Sequence, residues 1–201
     1  MQETNPFEEQ LPVFFEDDDS YTGCTLLHKM IAEGDRKGIL ENKRFLTKKA
    51  LNGFSSCRRG DRWWKNISPM YMIVYWQGDY WSEVVELMAK NGADVNHVAT
   101  CLATYSKEGM LEQAAKRDDK KIVKILLENG ADPNAIGQRS PLMTAVWNDD
   151  IIELLLQHGA DPTIQSKPFL GGYSYQSPLQ LAKRYRDINN VYSLYNKYGF
   201  E

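Results

Sequence analysis

His97 and Cys101 stand four residues apart. A thiol within reach of an imidazole is the beginning of a nucleophile. Covalent chemistry also needs a third group to orient the base. The sequence supplies no motif that brings a carboxylate to this pair at the required spacing. As metal ligands the two fall short as well, because a site usually takes three or four. Cys24, Cys57 and Cys101 form no CxxC pair, and their odd number and wide separation predict free thiols in a reducing compartment. Gly171-Gly172 reads as a turn, since no phosphate-binding loop surrounds it. Arg59-Gly60-Asp61 spells an adhesion tripeptide, which in a chain with no secretory leader is expected to be accidental.

The residues around that tripeptide attract a different reading. Arg58, Arg59, Arg62, Trp63, Trp64 and Lys65 mix cations with large aromatics. Tryptophan and arginine are enriched where interfaces concentrate their energy, so this stretch can anchor a partner. The preferred reading is that its tryptophans pack on the units around them, as large aromatics usually do.

Charge and hydropathy set the frame. The 201 residues suit one domain or one short repeat array. No apolar run approaches the roughly 20 residues that cross a bilayer. The first 20 residues carry seven acids and no Lys or Arg, the opposite of a basic secretory leader. Without that head the chain has 24 bases against 20 acids, too mild an excess to argue for nucleic acid as the main partner. Within the head, Leu11, Val13, Phe14 and Phe15 are expected to cover the N-terminal end of the body.

The body of the chain is repetitive. LMAKNGADVN ends at Asn96, ILLENGADPN at Asn134 and LLLQHGADPT at Thr163. Before each Gly-Ala-Asp lies an apolar stretch, a polar break and a second stretch with helical spacing: Val84, Val85, Leu87, Met88; Ile122, Val123, Leu126, Leu127; Ile151, Ile152, Leu154, Leu155. The glycines stand where a helix ends in a left-handed residue. The Ser-Pro pairs at 68–69, 140–141 and 177–178 stand where a helix begins. His158 tops the second helix of its unit. Each unit is therefore two short antiparallel helices and an extended connection.

These phrases resemble the ankyrin repeat, whose consensus runs T-P-L-H-x-A, a turn, a second helix and G-A-D-x-N. The residues that carry the resemblance are Thr25-Leu26-Leu27-His28, Ser68-Pro69-Met70, Leu111 with Ala114, Ser140-Pro141-Leu142 with Ala145, Ser177-Pro178-Leu179 with Ala182, and the three Gly-Ala-Asp phrases. The resemblance implies an all-α solenoid of stacked helix-turn-helix units with irregular long linkers. It implies an acidic cap over 1–23 and a repeat domain over 24–201, with units near 24–66, 67–106, 107–138, 139–175 and 176–201. It assigns His28 to the repeat's own structural histidine. That slot elsewhere holds Tyr71, Glu112, Met143 and Gln180, and the first unit lacks its Gly-Ala-Asp phrase.

By the same resemblance, the surface for a partner is concave. Its helix positions come just after the consensus alanine, and its fingertips precede each first helix. The expected partner-binding residues are Tyr75, Trp76, Tyr105, Lys116, Arg117, Arg139, Trp147, Asn148, Tyr175, Arg184 and Tyr185. Arg58, Arg59, Arg62, Trp63 and Trp64 form the secondary loop. The expected function is a non-enzymatic adaptor or inhibitor that binds a protein, with no cofactor, metal, small-molecule substrate or membrane. A cytoplasmic monomer is expected. A pathogen or viral effector, or a toxin-neutralising protein that masks its target, is the alternative, and would place the chain inside a host cell.

Overall fold

The computed structural model describes residues 4–11, 14–16, 19–59, 62–145, 147–165, 175–185 and 194–200. Helices α1 (Leu26–Ala32) and α2 (Arg36–Glu41) form the first pair, followed by a one-turn α3 (Lys48–Leu51). The second pair is α4 (Pro69–Trp76) with α5 (Ser82–Lys90), and the third is α6 (Met110–Lys116) with α7 (Lys120–Glu128). The fourth is α8 (Pro141–Thr144) with α9 (Asp149–Gln157). Helix α10 (Pro178–Tyr185) opens the fifth, and residues 194–197 are again helical. First helices stack in the order α1, α4, α6, α8, α10, and second helices in the order α2, α5, α7, α9.

Local chemistry explains the helix ends. The Oγ atoms of Ser68, Ser140 and Ser177 accept from the N–H three residues on, each at 3.2 Å, while the following proline has no N–H to satisfy. Gly92, Gly130 and Gly159 close α5, α7 and α9 at φ of 89°, 88° and 85°, where any side chain would be strained. Gly199 takes the same conformation at 84°. Between the caps, the second helices turn Val84, Val85, Met88, Ile122, Val123, Leu126, Leu127, Ile151, Ile152, Leu155 and Leu156 into one continuous core. Leu87 and Leu154 are half-buried at its edge. The extra residues between α4 and α5 form a 3-10 turn, Gly78–Trp81, that drives Trp81 into the core.

The all-α expectation is overturned. The connections form a six-stranded antiparallel sheet in sequence order: β1 (Phe14–Glu16), β2 (Asp19–Thr22), β3 (Ser55–Arg59), β4 (Arg62–Ile67), β5 (Val98–Cys101) and β6 (Ser106–Gly109). The stretches between α3 and α4 and between α5 and α6 are long hairpins, as is the β1–β2 segment ahead of α1; most of the linker after Asp161 lies outside the described residues. Each is long enough to pair with the next as well as with itself, so Trp64 lies opposite Cys57 on one side and Cys101 on the other. Backbone groups that a short loop would leave to water are satisfied by the neighbouring hairpin. The sheet is sided: Cys57, Trp64, Ile67, Ala99, Cys101 and Glu108 are buried, while Arg58, Trp63, Lys65 and Lys107 are exposed.

A ladder of asparagines ties successive units. Asn96 Nδ2 donates to the Gly130 carbonyl at 3.1 Å, and its Oδ1 accepts the Asp132 N–H at 2.8 Å. Asn134 repeats this on Gly159 and Asp161 at 3.0 and 2.8 Å. Each aspartate in turn accepts from the N–H two residues on, as in Asp94 to Asn96 and Asp132 to Asn134, both at 2.9 Å. The first unit joins the ladder without a Gly-Ala-Asp phrase: Asn52 bonds the Gly92 carbonyl at 3.0 Å and the Asp94 N–H at 2.8 Å.

The first described residues of the acidic head touch the first unit. Phe7 is fully buried with its ring 6.0 Å from Phe45. Glu8 binds the Lys49 ammonium at 2.8 Å and the Thr47 hydroxyl at 2.5 Å. The sequence points to Leu11, Val13, Phe14 and Phe15. Leu11 is half-buried, Val13 lies outside the described residues, and Phe14 and Phe15 lie in β1, their side chains outside the described part.

Candidate functional site

Because first helices stack side by side, their C-terminal ends form a row. Lys116 at the end of α6, Trp147 between α8 and α9, and Arg184 in the last turn of α10 are all exposed, Trp147 at 56%. Neighbouring helix axes lie about 8–10 Å apart, close enough for one partner segment to touch all three. Two further expected aromatics are exposed at fingers: Tyr105 in the β5–β6 turn, 85% exposed, and Tyr175 ahead of α10, 64% exposed.

Other expected members are committed to the fold. Tyr75 is half-buried; its ring lies 4.8 Å from Trp64 and 6.1 Å, stacked, from Tyr71. Trp76 is half-buried against the core. Arg117 is a staple, donating from Nε to Asp119 at 2.9 Å and from Nη1 to the Tyr75 carbonyl at 3.0 Å. Asn148 caps α9, accepting the Ile151 N–H at 3.2 Å, and donates to Asp118 at 3.2 Å. Arg139 is half-buried, and its backbone N–H is held by Glu112 at 3.0 Å. Tyr185 ends α10, with its side chain outside the described residues.

The basic hairpin divides its two tryptophans by strand alternation. Trp64 is buried against Tyr71 and Tyr75, while Trp63 is 42% exposed on the opposite face with exposed Arg58. Arg59 and Arg62 lie opposite each other next to the turn, and their side chains are outside the described residues.

The groups that could do chemistry are used structurally. His28 is fully buried; its Nδ1 accepts the Thr25 N–H at 3.2 Å, and Nε2 faces the Ile67 carbonyl at 3.4 Å. Burial lowers its pKa to about 4, only partly opposed by that carbonyl, so it is neutral at pH 7. His97 bonds the Asn66 carbonyl at 2.5 Å and stacks on Phe54 at 4.9 Å. Cys101 is buried in the sheet. Among the described residues no group of three or more His, Cys, Asp or Glu could hold a metal ion. No described helix is long and apolar enough to cross a membrane.

Glu112 is a site the sequence marks only as a departure. It occupies the slot of His28 two units later, almost fully buried. Its carboxylate accepts the N–H groups of Gln138 and Arg139, both at 3.0 Å, and so holds the fourth finger. Desolvation raises its pKa to about 7, against the lowering effect of those N–H groups and with a further push from buried Glu108.

A family model described as ankyrin repeats, in three copies, matches residues 70–166. No curated protein matches the chain. Ankyrin repeats generally mediate protein–protein interaction and are typically non-enzymatic. With the stacked helix pairs, the left-handed closing glycines and the asparagine ladder, this match identifies residues 70–166 as ankyrin repeats.

Proposed function

We propose that the chain is a non-enzymatic adaptor or inhibitor that binds a partner protein through its concave stripe. The observation that carries this is the exposed row Lys116, Trp147 and Arg184 on successive helix ends, with Tyr105 and Tyr175 also exposed. A large aromatic open to water between two cations is the composition of an interface hot spot. Such a row suits a partner segment that is acidic and carries an apolar or aromatic residue.

Trp147→Ala together with Lys116→Ala is expected to weaken partner binding about tenfold or more while leaving the circular dichroism spectrum unchanged. A partner bound equally well by this variant would remove the stripe from the interface.

A further inference from the structure

The side of the sheet turned away from the helices has a composition of its own. Strand pairing places Arg58 opposite Trp63 and Lys65 opposite Thr100, with Thr100 opposite Lys107. Leu102 extends the first row, its N–H bonding the Trp63 carbonyl at 2.7 Å. Lys65 and Lys107 are two strands apart on one face, about 10 Å, and Trp63 lies two residues along the same strand, about 7 Å from Lys65. The acid in β3 to β6 is Glu108, which points inward and is buried. Among the described residues Lys65 and Lys107 have no ion-pair partner. The inward side of the same strands is sealed, with Trp64 packed on Tyr71 and Tyr75. The outward side therefore cannot serve the core, nor is it part of the concave stripe.

We propose that this outward face, centred on Trp63, Lys65, Thr100 and Lys107, is a second docking surface that takes an acidic, aromatic-containing peptide segment of a partner protein. Charge complementarity selects the occupant. A face of like-charged lysines with no acid between them attracts carboxylates, and the exposed indole gives an aromatic side chain a flat surface. The few cations fit a short acidic segment better than a polynucleotide, which would spread over roughly six to ten phosphate contacts. This goes beyond the concave-stripe reading, because it gives the molecule two binding faces and hence a way to bridge two proteins.

The test uses a fluorescein-labelled random copolymer of glutamate and tyrosine, read by anisotropy at low salt. The starting protein is the full chain carrying Lys116→Ala and Trp147→Ala, so the stripe does not contribute. The expected result is saturable binding that falls roughly tenfold or more when Lys65→Glu and Lys107→Glu are added, and that weakens with Trp63→Ala but not with Trp63→Phe. Circular dichroism melts confirm that each protein is folded. Binding to the wild type that vanishes in the stripe variant would overturn the second surface while supporting the first. Binding that survives the lysine reversals, no binding to any form, or tighter binding to an oligothymidylate of equal charge would each overturn the proposal.

Discussion

Glu112 stands where His28 stands two units earlier, and the two residues solve the same problem with opposite charge behaviour. Each reaches from the start of a first helix to the backbone of the next finger: His28 to a carbonyl, Glu112 to two N–H groups. Glu112 has a pKa of about 7 in the folded chain against an ordinary 4.5, and so binds its proton more tightly when folded. Its contribution to stability is fully present below the ordinary value and is lost as pH rises through 7. The wild type should therefore lose stability relative to Glu112→Gln between about pH 5 and 7.5, by no more than about 1.4 kcal/mol per pH unit. Urea denaturation across that range checks it; parallel curves would refute the assignment. His28, lowered to about 4, works in the other direction, with stability present above its ordinary 6.5 and lost as pH falls. Tyr71 fills the same slot in the second unit with a buried hydroxyl that has no hydrogen-bond partner among the described residues. An unsatisfied buried hydroxyl is a cost, so Tyr71→Phe is expected to be neutral or to stabilise by up to about 1 kcal/mol, measured by thermal unfolding.

At the scale of elements, the helix pairs are legible in the sequence and the sheet is not. Gly-Ala-Asp, Ser-Pro and the helical apolar spacing each carry a local signal, and the helices form where those signals stand. The sheet depends on pairing between hairpins far apart in sequence. Nothing in VNHVATCLATYS alone says that Cys101 will face Trp64. Alternation within RWWKNI could have shown that Trp63 and Trp64 part company, one to each face, because strand side chains alternate. Asn52 is hidden for another reason: its neighbours are not Gly-Ala-Asp, and only space reveals that its amide makes the two bonds of Asn96. Asn52→Ala should accordingly cost about 1–2 kcal/mol, the same as Asn96→Ala, by chemical denaturation. A neutral Asn52→Ala beside a costly Asn96→Ala would show that the first unit is not joined to the ladder in this way.

Over the whole molecule, most of the expected stripe comes from a family pattern, and the structure sorts its residues by physical role. The family pattern gives position along the helix, while exposure depends on the neighbours. Tyr75 is half-covered because the second finger is long enough to lay Trp64 across it. Arg117 is drawn into the turn by Asp119. Lys116, Trp147 and Arg184 are exposed, as are Tyr105 and Tyr175. The most direct measurement is an affinity capture from cell lysate with the full chain beside a Lys116→Ala/Trp147→Ala/Arg184→Ala variant, followed by titration of the captured protein against both. The expected result is a saturable protein partner that the variant, still folded by circular dichroism, binds at least about tenfold more weakly. A partner bound equally by both proteins, or no saturable partner at all, would contradict it.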